Sequence, residues 1–259
     1  MLCGPSTVLT ARTTRRVGTV DSLASIEFGV AATFPERERA FRLVHDQYVA
    51  RGYMRPDPAG RRIGRHHALP ATRVFVGRVL DEIVATVSVV PDSPAGLPCD
   101  DLYQMELTPI RARHARLAEV SALAVHDDWR DIGLLIVRGL VQAIALYAHR
   151  LAGLETLCIT VNPRHVRFYE TCLMFKRFGG VKSYAAVNGA LAVALSLDLA
   201  REMRAPLIAS AVPFAAGLFE GDVDRALTTI RRDLERADNV QSFQSVASDL
   251  AGQRSMEVC

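Results

Sequence analysis

The sequence predicts an α/β protein built on one mixed sheet with helices on its faces. Three observations carry this. Apolar runs of strand length alternate with stretches whose apolar residues recur at helical spacing, in the order β-α-β-β-α-β-α-β-α-β and then helix. Gly, Pro, Asn and Asp bound these runs. A hydrophobic fraction of 49% over 259 residues supplies a sizeable core.

The elements follow in order. Residues 1–24 are polar and aperiodic and read as a mobile arm. SIEFGVAAT (25–33) is a strand by its β-branched and aromatic content. A helix starts near Pro35, with Phe41, Val44, Tyr48 and Val49 at helical spacing. Residues 55–70 are a loop by Pro, Gly and charge. Residues 72–80 and 82–92 read as paired strands around a tight Asp81-Glu82 turn. A second loop, SPAGLP, precedes a helix capped by Asp100 or Asp101.

The strand RLAEVSALAV (116–125) leads into a long apolar helix, roughly 131–151, ended by Gly153. The strand TLCITV (156–161) stops at Asn162-Pro163 and turns into a helix closed by Gly179-Gly180. SYAAVNGALAVALSLDL gives one or two last strands, with Asn188-Gly189 as a turn. The core domain is thus 25–200, and 201–259 form a helical extension and tail.

Composition narrows the function. No uncharged apolar run reaches the roughly 18 residues of a membrane span, and the N-terminus has no apolar signal core. We therefore expect a cytoplasmic protein without a transmembrane segment. Residues 1–78 carry thirteen Arg against six Asp/Glu. Such a half can face phosphates, an acidic carrier protein, nucleic acid or a membrane surface, or simply keep the surface soluble. The five Cys show no CxxC or CxxH spacing, so neither a metal site nor a disulfide framework is expected. Cys158 and Cys172 read as small buried hydrophobes. His45, His66 and His67 read as surface residues.

Two segments carry chemistry. Glu119 interrupts an apolar strand, where a buried unpaired carboxylate is costly. It reads as a general base or an anchor for an ammonium group; the alternative is a salt bridge to an N-terminal Arg. Strand alternation puts Glu119, Ser121 and Leu123 on one face. In VNPRHVRFYE, Pro163 cannot donate to a neighbouring strand and forces Asn162 extended, so the sheet opens beside it. Asn162 can also cap the helix. His165 and Tyr169, at i and i+4, share a helix face and can relay protons; Tyr169 can equally be a core residue. Arg130-x-x-Gly133, at a strand-to-helix turn, offers backbone N–H groups to a phosphate.

At these residues the chain resembles the GNAT superfamily of acyltransferases. The resemblance implies a mostly antiparallel mixed sheet with a splay between two central strands, here 116–125 and 156–161, and helices on both faces. The acyl donor threads that splay. The superfamily's phosphate loop ends in a small residue, and here Leu135 stands in that place. The closer likeness is to the long-chain N-acyl amino acid synthases, on AFRLVHDQYVARGYM, LPCDDLYQMEL, RLAEVSALAV, VNPRHVRFYE and VNGALAVALSLDL. The Glu-x-Ser strand is also similar to that of the acyl-homoserine lactone synthases.

The resemblance implies transfer of a fatty acyl group to the amine of an amino acid. It implies no permanently bound cofactor. An acyl-phosphopantetheine, on acyl carrier protein or as acyl-CoA, is the co-substrate, and acyl carrier protein is the expected partner. Nucleic acid is not expected; peripheral membrane contact is compatible with the charge. Glu119 is the expected base and Tyr169 the acid, with His165 behind it. Backbone N–H groups at Leu123, Ala124 and Val125 would hold the pantetheine arm and polarise the thioester carbonyl. Ser121 and Asn162 would position substrate, and Arg130 and Gly133 would meet phosphate. The helix at 132–148 and the apolar segment 206–219 are candidate walls for the acyl tail.

Overall fold

The computed structural model describes residues 26–113, 116–199 and 223–256. The expected arm at 1–24 and the segment 206–219 lie outside them. The elements run β1 (Glu27–Val30), α1 (Phe34–Ala50), β2 (Arg73–Val79), β3 (Glu82–Pro91), α2 (Asp100–Arg113), β4 (Leu117–Val125) and α3 (Gly133–Leu146). They continue β5 (Thr156–Val161), α4 (Val166–Cys172), β6 (Lys176–Arg177), β7 (Lys182–Tyr184), β8 (Ala190–Asp198) and α5 (Val223–Met256). The sheet order is β1-β2-β3-β4-β5-β8-β6, with β7 also on β8. Among the described residues only β4 and β5 pair in parallel.

Strand alternation distributes the core. Val74 and Val76 of β2 face α1, with Phe41 and Val44. Phe75 between them faces α3, with Ile136, Leu140 and Ile144. Tyr103 and Leu107 of α2 cover Leu117 and Cys158 on the α1 side. α1 starts at a capping box: Glu36 N–H donates to Thr33 Oγ1, and Thr33 N–H donates to Glu36 Oε2 at 2.9 Å. Among the described residues the helical stretch Asp127–Leu151 is long and apolar enough to cross a membrane. Its few charges hide it from a count of uncharged runs. Ile136, Leu140 and Ile144 lie buried against the sheet, the placement of a core helix.

The C-terminal helix is tied into this core. Ile230 is fully buried with the α3 cluster. Asp233, 1% exposed, accepts from Val30 N–H at 3.1 Å and from Arg78 Nη2 at 2.9 Å. Arg78 also bonds Glu36 at 2.9 Å, so one guanidinium joins β1, β2, α1 and α5.

Several boundaries differ from the sequence reading. The β2–β3 turn is Leu80-Asp81, one residue earlier, because Leu80 takes the left-handed conformation (φ 54°) and Val79 pairs with Glu82. Asp100 does not cap α2 from outside; it lies in the first turn, accepts from Leu97 N–H and pairs with Arg111. The helix after Pro163 ends at Cys172 rather than near Phe178, since Met174 is left-handed and Lys176–Arg177 joins β8. Asn188 and Gly189 both take positive φ, as the expected turn requires.

Candidate active site

Two backbone features build the site. β4 and β5 pair from Leu117↔Thr156 to Val120↔Ile159, and there the ladder stops. β5 stays paired with β8 through Val161. Residues 121–125 of β4 stay on β3, with Ala85 opposite Val125 and Thr86 opposite Ala124. The two strands therefore diverge, each on its own partner, and their facing edges are left without each other beside Asn162-Pro163.

The second feature is a bulge. Ser88 opposes Ser121 and Thr86 opposes Ala124, so β4 has one extra residue, and Ala122 sits there with φ 55°. The bulge overturns part of the alternation expected from sequence. Glu119 and Ser121 precede it. Beyond it Ala122 and Ala124 face α1, while Leu123 and Val125 pack toward α3. Leu123 thus lies on the opposite face from Glu119.

A cavity of about 730 Å³ opens on the α1 side of this gap. Glu119, Ser121, Leu123, Ala124, Val125, Asn162, His165 and Tyr169 all line it. A second cavity of about 140 Å³ lies on the α3 side, walled by Val137, Val141, Ile144, Leu157 and Phe175. Ser121, Thr160, Val161 and Tyr169 border both, so the gap connects a polar chamber with an apolar slot. Arg130 and Gly133 line neither cavity. Arg130 pairs with Asp127 at 2.7 Å, and Gly133 opens α3, whose start carries no side-chain cap.

Glu119 is 2% exposed, and its Oε2 accepts from Cys99 N–H at 2.7 Å. Burial raises its carboxyl to about 7, against the pull of the Cys99 thiol and backbone N–H. No arginine pairs with it among the described residues. Cys99, Glu119 and Cys158 place one donor atom each within 4.8 Å of one another. Hydrogen bonding to Cys158, burial and the nearby carboxylate push the Cys99 thiol far up, so it stays protonated.

Tyr169 packs edge-on between Phe168 and Phe175, with ring centroids 5.3 and 5.8 Å away. Burial pushes its phenol up to about 12. His165 is exposed; burial of part of its ring and the adjacent Arg164 lower its pKa, and its Nε2 accepts from Arg164 Nε at 3.0 Å. Asn162 caps the turn after β5, accepting from Arg164 N–H at 3.1 Å.

Sequence reading missed several wall residues. Thr160 Oγ1 is buried in the gap without a hydrogen-bond partner; its side chain looks like ordinary strand content in TLCITV. Tyr48, Arg62 and Tyr184 come from α1, the 51–72 loop and β7, and no motif links them. His45, His66 and His67 are buried rather than on the surface. His45 Nε2 accepts from Asp57 N–H and His67 Nδ1 from Gly64 N–H, so both hold the loop that roofs the chamber. Burial lowers His67 to about 4, keeping it neutral.

Residues 39–198 match the family model described as N-acyl amino acid synthase FeeM. The chain belongs to the FeeM family of N-acyl amino acid synthases. It is an N-acyltransferase with the GNAT fold. The solved structure of FeeM, from uncultured soil microbes, is 28% identical, with a TM-score of 0.58 over 67% of this chain and 95% of that one. BjaI, a CoA-dependent acyl-homoserine lactone synthase solved with SAM and isopentyl-CoA, shares the fold at 18% identity. Its TM-score is 0.52 over 79% of this chain and 99% of that one. A search of the curated proteins found no match.

Proposed function

We propose that the protein moves a long-chain acyl group from the phosphopantetheine thioester of an acyl carrier protein to the amine of an amino acid. The observation that carries this is the end of the β4–β5 ladder at Val120 and Ile159, between a polar chamber and an apolar slot. A thioester seated in that gap has its tail in the slot beside α3 and its carbonyl at Tyr169.

The chemistry follows from the residues at the gap. The acceptor enters the chamber as an ammonium and loses a proton to Glu119, directly or through a water. A carboxyl near 7 is half ionised at neutral pH, which suits a base. The free amine attacks the thioester carbon. Backbone N–H groups at Leu123 and Val125, on the edge that β5 has left, stabilise the oxyanion, whereas that of Ala124, in step with His126 N–H on Val84 O, faces β3. Collapse breaks the C–S bond; the Tyr169 hydroxyl gives its proton to the thiolate, and its phenolate takes the remaining proton from the new amide nitrogen, directly or through a water. A phenol held protonated by burial suits that task better than His165, whose acceptor nitrogen is already engaged. Ser121 and Asn162 position the reactants.

The carrier-protein donor is supported by the phosphate loop. Its last small residue is replaced by Leu135, and Arg130 is engaged with Asp127. A single phosphate at the uncapped start of α3, beside Gly133, asks less of this loop than a pyrophosphate. An arginine-rich surface suits an acidic carrier. The test is incubation with long-chain acyl carrier protein, or acyl-CoA, and an amino acid mixture, read by mass spectrometry. N-acyl amino acid is expected from the carrier protein. Product from acyl-CoA alone overturns the donor, and no acyl amide from either overturns the activity.

A further inference from the structure

Four guanidiniums line the polar chamber: Arg51, Arg62, Arg65 and Arg164. Three are engaged by anionic or polar side chains. Arg65 pairs with Asp101 at 3.0 Å, and Arg51 bonds the Gln47 side chain and lies 3.9 Å from Asp127. Arg164 donates to Tyr53 Oη and to His165 Nε2. Arg62 differs. It makes one side-chain hydrogen bond, from Nη2 to Ala186 O at 3.0 Å, and meets no carboxylate among the described residues. A guanidinium carries five N–H donors, so most of these are free.

Arg62 is also held in place. Its backbone N–H donates to Phe41 O at 3.1 Å, and its guanidinium lies 4.6 Å over the Tyr48 ring. The residue is half-buried, where a fixed cation acts on an anion more strongly than in open solvent. It shares the chamber with Glu119: the phenols of Tyr48 and Tyr184 each feel both charges. The chamber thus presents a carboxylate and an unengaged cation together. An α-amino acid is the complementary zwitterion, its carboxylate two bonds from its amine.

We infer that Arg62 binds the α-carboxylate of the acceptor and makes a free carboxylate a requirement for acylation. This rests on the reading that the acceptor amine meets Glu119 in this chamber. Guanidinium-to-carboxylate hydrogen bonds are directional and strong, and removing one partner is expected to cost about ten- to a hundredfold in affinity.

The test compares free acid and carboxamide. The twenty standard amino acids and their carboxamides are offered with acyl carrier protein donor to wild type, Arg62→Gln and Arg62→Lys. The wild type is expected to prefer the acid at least about tenfold in kcat/KM. Arg62→Gln should lose that preference, with kcat/KM falling more for the acid than for the carboxamide, and Arg62→Lys should regain part of it. Equal losses on acid and carboxamide, or no preference in the wild type, overturn the assignment. Calorimetric titration of the same pairs, without donor, needs no turnover and separates the two readings. Acid-selective binding that Arg62→Gln abolishes supports Arg62 even if no acyl amide forms. Equal binding of acid and carboxamide, or none, overturns it.

Discussion

Replacing Glu119 by Gln should make the protein more stable at alkaline pH than at acidic pH, relative to wild type. The Glu119 carboxyl sits at about 7 in the folded chain against 4.5 in an ordinary setting, because burial disfavours its charge. Between those values the native state binds more protons than the unfolded state, so wild-type stability falls as pH rises. The fall is complete above pH 7 and amounts to about 3 kcal/mol, at about 1.4 kcal/mol per pH unit. Gln does not titrate, and its amide oxygen can still accept from Cys99 N–H. Urea unfolding of both proteins at pH 5 and pH 8 measures the effect, and the difference between them should shift by about 2–3 kcal/mol in favour of the variant at pH 8. The same variant should be nearly inactive. Wild-type kcat/KM should drop about tenfold per pH unit below 7, as the base takes up its proton. A stability difference that is flat with pH would refute the burial argument. A shift of opposite sign would mean that Glu119 is ion-paired in solution.

The other outcomes follow from the two cavities and the C-terminal helix. Tyr169→Phe keeps the edge-on ring packing but removes the acid, so kcat in a thiol-release assay should fall about a hundredfold with unchanged unfolding. Thr160→Val removes a buried hydroxyl without a partner, and should raise stability by up to about 1 kcal/mol. It should also raise KM for the acyl donor severalfold, whereas an idle hydroxyl would leave KM alone. Val141→Trp fills the slot beside α3, and excluding two methylenes should cost long acyl donors about tenfold against short ones in kcat/KM. Asp233→Asn removes one carboxylate from Arg78, which keeps Glu36, and should cost about 1–3 kcal/mol in urea unfolding; no measurable loss would mean that this contact of α5 contributes little to the core.

How far the site could be read ahead depended on the kind of signal. Glu119 was visible as a charge where burial needed an apolar residue, and Asn162-Pro163 as a break in backbone donors. Both are local facts of the chain, as are the apolar periods of α3 and β5. The bulge at Ala122 was not visible, because LAEVSALAV has no Gly or Pro to mark an extra residue. The buried histidines were missed because polar loop sequence hides which ring nitrogens will receive backbone N–H groups.

The sequence alone determined the order of strands and helices apart from β6, the family, and the two segments that meet at the active site, since each rests on neighbours along the chain. Tertiary structure decided what those segments face. The raised carboxyl of Glu119 comes from its burial by the packed elements around it, against the pull of the Cys99 N–H that donates to it. The unengaged charge of Arg62 comes from a loop that crosses to Ala186, 124 residues away. The gap itself exists because β4 stays on β3 while β5 stays on β8, a division of hydrogen bonds among four strands that no single stretch encodes.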